Sequence, residues 1–125
     1  METQKHRILL VDDEESILRA LERVLRGSDR ELTTASDGPS ALDLLATKPF
    51  DLIITDQRMP GMSGTELLKR VRQLHPLTAR VMISGYAEFE SLVAAVNEAR
   101  VARFIPKPWD NDELRALVAD VLQDK

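Results

Sequence analysis

Apolar positions along the chain follow two alternating rhythms. Arg7–Val11 (RILLV), Leu52–Thr55 (LIIT), Arg80–Ser84 (RVMIS) and Arg103–Pro106 (RFIP) are short, β-rich runs, and Glu31–Ala35 (ELTTA) is a weaker one. Between them, apolar residues recur every three or four positions. This helical spacing is carried by Ile17, Leu18, Leu21, Val24 and Leu25, with Gly27 as the stop, and by Ala41, Leu42, Leu44 and Leu45, ended by Pro49. It returns at Leu67, Leu68, Val71 and Leu74 on one face, with Pro76 beyond, and at Leu92, Val93, Ala95, Val96 and Ala99 within residues 88–100. A last helix carries Leu114, Leu117, Val118, Val121 and Leu122, with Asp110 or Asn111 as its cap. Ser36-Asp37-Gly38-Pro39 reads as a turn, and Gly85 as a breaker.

Five strands in strict alternation with five helices imply a parallel sheet with right-handed crossovers and helices on both faces. The runs Ile8–Val11 and Leu52–Ile54 are continuously apolar, as strands buried on both faces must be. Pro106 has no N–H for a ladder on either side and so suits an edge strand. The expected fold is α/β: a doubly wound, five-stranded parallel sheet of order 2-1-3-4-5.

A length of 125 residues fits one domain, with the core expected over about residues 7–122. Hydrophobic residues make up 43% and charged residues 30%, while aromatics are only 4%, so the core is built from Leu, Val, Ile and Ala. A net charge of −4 argues against direct nucleic-acid binding, since no basic excess offsets phosphate repulsion. No apolar run approaches the roughly 18 residues of a membrane span, and the polar start, Met1 to Arg7, lacks the apolar stretch of a secretory signal. The absence of Cys excludes disulfides and thiolate metal sites and suits a cytoplasmic location.

Ligands of such sheets collect outside the carboxyl ends of the strands, near the point where strand order reverses. Those ends carry Asp12 and Asp13 after the first strand, Asp56 on the third, Ser84 on the fourth and Lys107 after the fifth. In the order 2-1-3-4-5 the first and third strands are neighbours, so three carboxylates converge. Two unit charges at roughly 4 Å repel by about 4 kcal/mol at an effective dielectric near 20. A hard divalent cation removes that cost. With neither His nor Cys in the cluster, an oxygen-preferring metal such as Mg²⁺ (or Mn²⁺) is the one expected. Cation, ammonium and hydroxyl around a carboxylate make a receptor for a phosphoryl group, with Asp56 as the nucleophile.

The segments LLVDDEE, DLIITDQRMPGMSGTELL, VMISGYAE and FIPKPWD resemble the receiver domain of bacterial two-component response regulators, which has a flavodoxin-like fold. The resemblance runs from about Arg7 to Leu122. It implies that Asp56 accepts a phosphoryl group from a phosphohistidine of a sensor histidine kinase or phosphotransfer protein. It further implies that Asp13, Asp56 and the backbone carbonyl of Arg58 bind Mg²⁺, with Asp12 acting through a water. Ser84 would swing toward the phosphoryl oxygens, Lys107 would pair with them, and Phe104 would be the aromatic that turns inward. The face of the fourth helix, fifth strand and fifth helix would then be read by an output domain or protein, and is a candidate homodimer surface. Lys107-Pro108 is a candidate cis peptide. Position 104 is Phe where the most familiar pattern has Tyr, which removes a hydroxyl and leaves ring burial to supply the coupling. Arg58 and Tyr86, each two positions past a site residue, are expected to overhang the pocket and slow water attack. The motifs resemble those of receivers attached to larger output domains, so a domain excised from a longer regulator is expected.

Two other readings stay open at this level. A haloacid-dehalogenase-type phosphatase also uses Asp, Lys, Ser/Thr and Mg²⁺, but needs a second acid two residues past the nucleophile, where Arg58 stands here. A receiver-like interaction domain that is never phosphorylated is the other. Taken alone, Asp12-Asp13-Glu14-Glu15 could be an acidic helix start favoured by the dipole, Ser84 a strand-end hydroxyl and Phe104 core packing. Trp109 fits either core capping or an exposed contact. His6 and His75 are read as surface residues, and Met59, Met62 and Met82 as packing or loop anchors.

Overall fold

The computed structural model describes residues 5–85, 96–123 and 125. Its elements run β1 (His6–Val11), α1 (Glu15–Leu25), β2 (Arg30–Ala35), α2 (Gly38–Thr47), β3 (Leu52–Asp56), α3 (Gly64–Leu74) and β4 (Ala79–Ser84). Then come a helical segment at residues 96–99 (α4), β5 (Arg103–Pro106) and α5 (Asn111–Leu122). The strands form one parallel sheet in the order β2-β1-β3-β4-β5, as the alternation predicts.

The register sets the working edge of the sheet. Val11 lies opposite Ala35 and Thr55, Asp56 opposite Ile83, and Ser84 opposite Pro106, so the strand tips end nearly level. Pro106 falls on the outer strand, where its missing N–H breaks no central ladder.

Alternation along each strand divides the core in two. Leu9, Ile53 and Met82 pack with Ala41 and Leu45 of α2 and with Leu67, Leu68 and Val71 of α3. Ile8, Leu10, Leu52, Ile54, Val81 and Ile83 pack with Leu18, Leu21 and Leu25 of α1 and with Leu114, Val118 and Leu122 of α5. Every residue of β3 is buried, so this strand cannot slip by one position without moving its side chains into the opposite layer.

Helix starts obey capping chemistry. Asp37, Ser63 and Asp110 accept from the backbone N–H of Ser40, Glu66 and Glu113, which satisfies donors that the helix itself leaves free. Gly38-Pro39, read as part of a turn, instead forms the first turn of α2, with Asp37 as the cap. Helix α1 ends at Leu25, and Arg26 takes the capping position ahead of Gly27. Leu74, placed on the apolar face of α3, is 64% exposed: it belongs to the last residue of the helix, beyond the reach of the sheet. The end of α4 is held by Arg72 donating to Glu98 O at 2.9 Å and Arg80 Nε to Ala99 O at 2.8 Å. Leu92, Val93 and Ala95 lie outside the described residues.

Because the two core layers share no helix among the described residues, Leu21→Ala and Leu68→Ala should each lower stability by about 2–5 kcal/mol. Urea unfolding of the double variant should give the sum to within about 0.5 kcal/mol; strong coupling would show that the sheet does not isolate the layers.

Candidate functional site

Asp56 is the final residue of a strand that is buried throughout, and its own exposure is only 5%. The backbone around it is fixed from three sides. Thr55 Oγ1 donates to Asp56 O at 3.0 Å, Gln57 N donates to Ile83 O at 3.1 Å, and Gly64 packs so closely that a Cβ there would collide with the Asp56 carbonyl. Asp12 follows β1, with its N–H bonded to Ala35 O at 3.2 Å and its carboxylate Oδ1 accepting from Glu14 N at 2.9 Å. Asp12 is buried and Asp13 is exposed. One carboxylate oxygen from each of Asp12, Asp13 and Asp56 lies within 4.8 Å of the others, which is the convergence that the strand order predicts.

Such crowding is costly. Burial pushes the Asp12 carboxyl up to about 6, and the charges of Asp56 and Asp13 push the same way, against the hydrogen bond from Glu14 and the charge of Lys107. Among the described residues, Asp12 Oδ2 is buried without a hydrogen-bond partner. An orphaned carboxylate oxygen beside two more acids, in an all-oxygen donor set, fits a hard divalent cation.

Lys107 supplies the counter-charge. Its N–H donates to Ser84 O at 3.1 Å, the Lys107-Pro108 peptide is cis, and Nζ lies 2.9 Å from Asp56 Oδ1 and 3.9 Å from Asp12 Oδ2. Burial alone would lower the pKa of this ammonium. The hydrogen bond and charge of Asp56, followed by the charges of Asp12 and Glu14, outweigh it and hold the pKa above its ordinary value. Lys107 therefore stays cationic over the carboxylate.

An open cleft of about 660 Å³ is lined by Asp13, Glu14, Asp56, Arg58, Met59, Pro60, Gly85 and Lys107. Ser84 is buried at the tip of β4, one position beyond the partner of Asp56. Phe104 is half-buried on β5 and packs against the layer of α2 and α3. Arg58 is exposed at the cleft wall, while Tyr86 lies outside the described residues. Trp109 resolves toward packing: half-buried against the layer of α1 and α5, it donates from Nε1 to Asn111 Oδ1 at 3.0 Å. His6 starts β1, at the far end of the strand from Asp12, and His75 caps the far end of α3.

Sequence reasoning missed Gln57, Thr65, Gly64 and Glu14. Gln57 Oε1 accepts from both Thr65 N and Thr65 Oγ1 at 2.8 Å. Nothing in the composition of the loop announces a bond across eight residues. A glycine at the first turn of a helix, where Ala has the better propensity, was the one available hint for Gly64.

The family model for the response regulator receiver domain matches residues 8–119. The hydrogenase transcriptional regulatory protein HoxA of Bradyrhizobium diazoefficiens is 44% identical over 116 residues, which cover 93% of this chain and 24% of that protein. The DNA-binding transcriptional regulator NtrC of Klebsiella pneumoniae is 39% identical over 109 residues, 87% of this chain and 23% of that protein. The chain thus spans about a quarter of the length of these curated relatives. Among solved structures, the signal receiver domain of an HD domain-containing protein from Pseudomonas fluorescens Pf-5 has a TM-score of 0.93 at 35% identity, covering 99% of this chain and 91% of that one. A CheY-like receiver domain protein from Methanospirillum hungatei JF-1 has a TM-score of 0.90 at 30% identity, covering 97% and 96%. With fold, acidic pocket and family model in agreement over nearly its whole length, the chain belongs to the receiver domain family of two-component response regulators.

Proposed function

We propose that Asp56 is the phosphoacceptor of this receiver domain and Lys107 its electrostatic partner. The observation that carries the reading is the buried Asp56 carboxylate, held at a strand tip 2.9 Å from the Lys107 ammonium and beside two further acids. An Asp56 carboxylate oxygen attacks the phosphorus of a phosphohistidine on a partner kinase or phosphotransfer protein. The O–P bond forms as the P–N bond breaks, and its electron pair leaves on the imidazole nitrogen. Asp13, Asp56 and the Arg58 backbone carbonyl would hold Mg²⁺ (or Mn²⁺), with Asp12 acting through a water. When bound, the cation supplies positive charge that offsets both the carboxylates and the phosphoryl oxygens.

The added phosphoryl group brings charge and strong acceptor oxygens to a site where Lys107 and the Ser84 hydroxyl can meet them. Ser84 moves toward the group and Phe104 turns inward. This reshapes the face of α4, β5 and α5, which an output domain, or a second copy of the chain, reads. The chain acts as a cytoplasmic module of a longer regulator, with slow self-dephosphorylation as its only turnover. Phosphatase chemistry is disfavoured, because Arg58 stands where such an enzyme needs a second acid and a guanidinium cannot protonate a leaving group there.

Incubation with an acyl phosphate and Mg²⁺ should raise the intact mass of the wild-type chain by one phosphoryl group, and Asp56→Asn should abolish the gain. An unmodified wild type would leave only the interaction-domain reading. Asp12→Asn keeps the acceptor for Glu14 N but removes the buried charge. It should raise the stability of the metal-free protein by about 1–2 kcal/mol while losing most of the stabilisation that Mg²⁺ confers on the wild type; thermal melts with and without Mg²⁺ measure both. Opening the pocket with Arg58→Asn and Tyr86→Ala should speed phosphoryl loss several-fold in a decay assay, and an unchanged lifetime would count against their shielding role.

A further inference from the structure

The first turn of α3 spends its free donors in an unusual place. A helix leaves its leading N–H groups without partners, and a capping side chain commonly takes one. Here Ser63 Oγ takes Glu66 N at 3.2 Å, but the other two go to a single residue outside the helix. Gly64 N donates to Gln57 O at 2.9 Å, and Thr65 N donates to Gln57 Oε1 at 2.8 Å, an atom that also accepts from Thr65 Oγ1 at 2.8 Å. Gln57 N meanwhile donates to Ile83 O at 3.1 Å. The residue next to Asp56 is thus tied to β4 through its amide and to the N-terminus of α3 through both its carbonyl and its side chain. The contact is close as well as bonded, since Gly64 leaves no room for a Cβ against Asp56 O and Gln57 Cα.

From this geometry we infer that Gln57 is a positioning residue for the cation site: its side-chain bonds to Thr65 fix the backbone of residues 56–58, and with it both the Asp56 carboxylate and the Arg58 carbonyl. The inference rests on the functional reading above, in which those two groups share Mg²⁺. Mg²⁺ demands near-ideal octahedral geometry at about 2.0–2.1 Å, so a ligand displaced by a fraction of an ångström is a poorer ligand. The loop that carries the Arg58 carbonyl is pinned at Gln57 on one side and Gly64 on the other. Releasing the Gln57 side chain leaves the backbone bonds to β4 and from Gly64 N intact but removes both bonds to Thr65, and so loosens the helix end against which the loop is braced. Thr65 does the same work from the opposite side, with its N–H and hydroxyl converging on one oxygen.

The test is a Mg²⁺ titration of the wild type, Gln57→Met, Thr65→Val and Leu21→Ala, read by the fluorescence of Trp109, the sole tryptophan, and repeated by calorimetry. Gln57→Met keeps the length of the side chain and removes its acceptor; affinity should fall about tenfold, the scale on which partners of metal ligands act. Thr65→Val removes the hydroxyl and keeps the N–H, so its loss should be smaller but measurable. Leu21→Ala, a cavity variant in the opposite core layer, should bind Mg²⁺ as the wild type does even though it melts earlier. Wild-type affinity in both Gln57→Met and Thr65→Val overturns the inference, and so does an equal loss in Leu21→Ala, which would reduce the effect to general destabilisation. A wild type that takes a phosphoryl group yet binds no Mg²⁺ overturns it too while sparing Asp56 as acceptor, whereas a wild type that does neither sinks the functional reading as well.

Discussion

The ammonium of Lys107 reaches the Asp56 carboxylate at 2.9 Å from the far side of an intervening strand, and much of the architecture follows from that reach. β4 lies between β3 and β5, so the side chain must cross the β4 tip. That tip carries Ser84 and Gly85, two residues small enough to let it pass. The Lys107 N–H is tied to Ser84 O, which fixes where the crossing starts. At the other end, β3 is buried along its length, and its register against β1 and β4 holds Asp56 in place. A one-residue slip of any of these strands would turn apolar side chains into the wrong core layer, so the energetics of the whole sheet enforce the geometry of one ion pair.

Among the described residues, the one ammonium paired with Asp12 and Asp56 does not by itself balance three carboxylates. Asp12 shows the deficit most directly, with one oxygen orphaned in the interior and its carboxyl held up to about 6, chiefly by burial. Buried like charges are a stability cost that natural folds carry where function requires it. The cost is recoverable, because a cation that binds only the folded site adds its binding free energy to folding. The site is therefore strained electrostatically and braced mechanically. The bracing comes from α3, whose N-terminus is anchored on Gln57 and whose glycine allows contact with the Asp56 backbone.

What could be read in advance followed from how local each determinant is. The sheet order was legible because the runs Ile8–Val11 and Leu52–Ile54 are apolar without interruption and Pro106 marks an edge, all within a few consecutive residues. The convergence of Asp12, Asp13, Asp56 and Lys107 followed from that order, since strand neighbours fix which tips meet. Leu74 was misplaced because helical periodicity records which way a side chain points but not where the sheet beneath it ends. Gly38-Pro39 looked like a turn for a related reason: the same residues serve turns and first helical turns, and the distinction lies in the Asp37 bond to Ser40 N. The Gln57–Thr65 contact was out of reach because it depends on the approach of α3 to β3, which no spacing in MPGMSG encodes.

On the proposed reading, in which Phe104 is the switch aromatic, its burial sets a bound on how strongly the pocket can speak to the outer face. It is half-buried on β5, next to a small groove of about 120 Å³ that Ile105, Pro106, Trp109 and residues of α5 complete. Fully burying a large apolar side chain is worth about 1.5–3 kcal/mol, so taking a ring already half-buried to full burial gains about 1 kcal/mol. With no hydroxyl to add a hydrogen bond, that gain is nearly all the ring can contribute, and about 1.4 kcal/mol corresponds to a tenfold shift between two states. A switch of 99:1 in each direction needs about 5.5 kcal/mol. On the proposed reading, then, the ring alone moves the equilibrium by several-fold, and the greater part of any sharper response must come from the phosphoryl contacts of Ser84 and Lys107 and from the partner that reads the altered face.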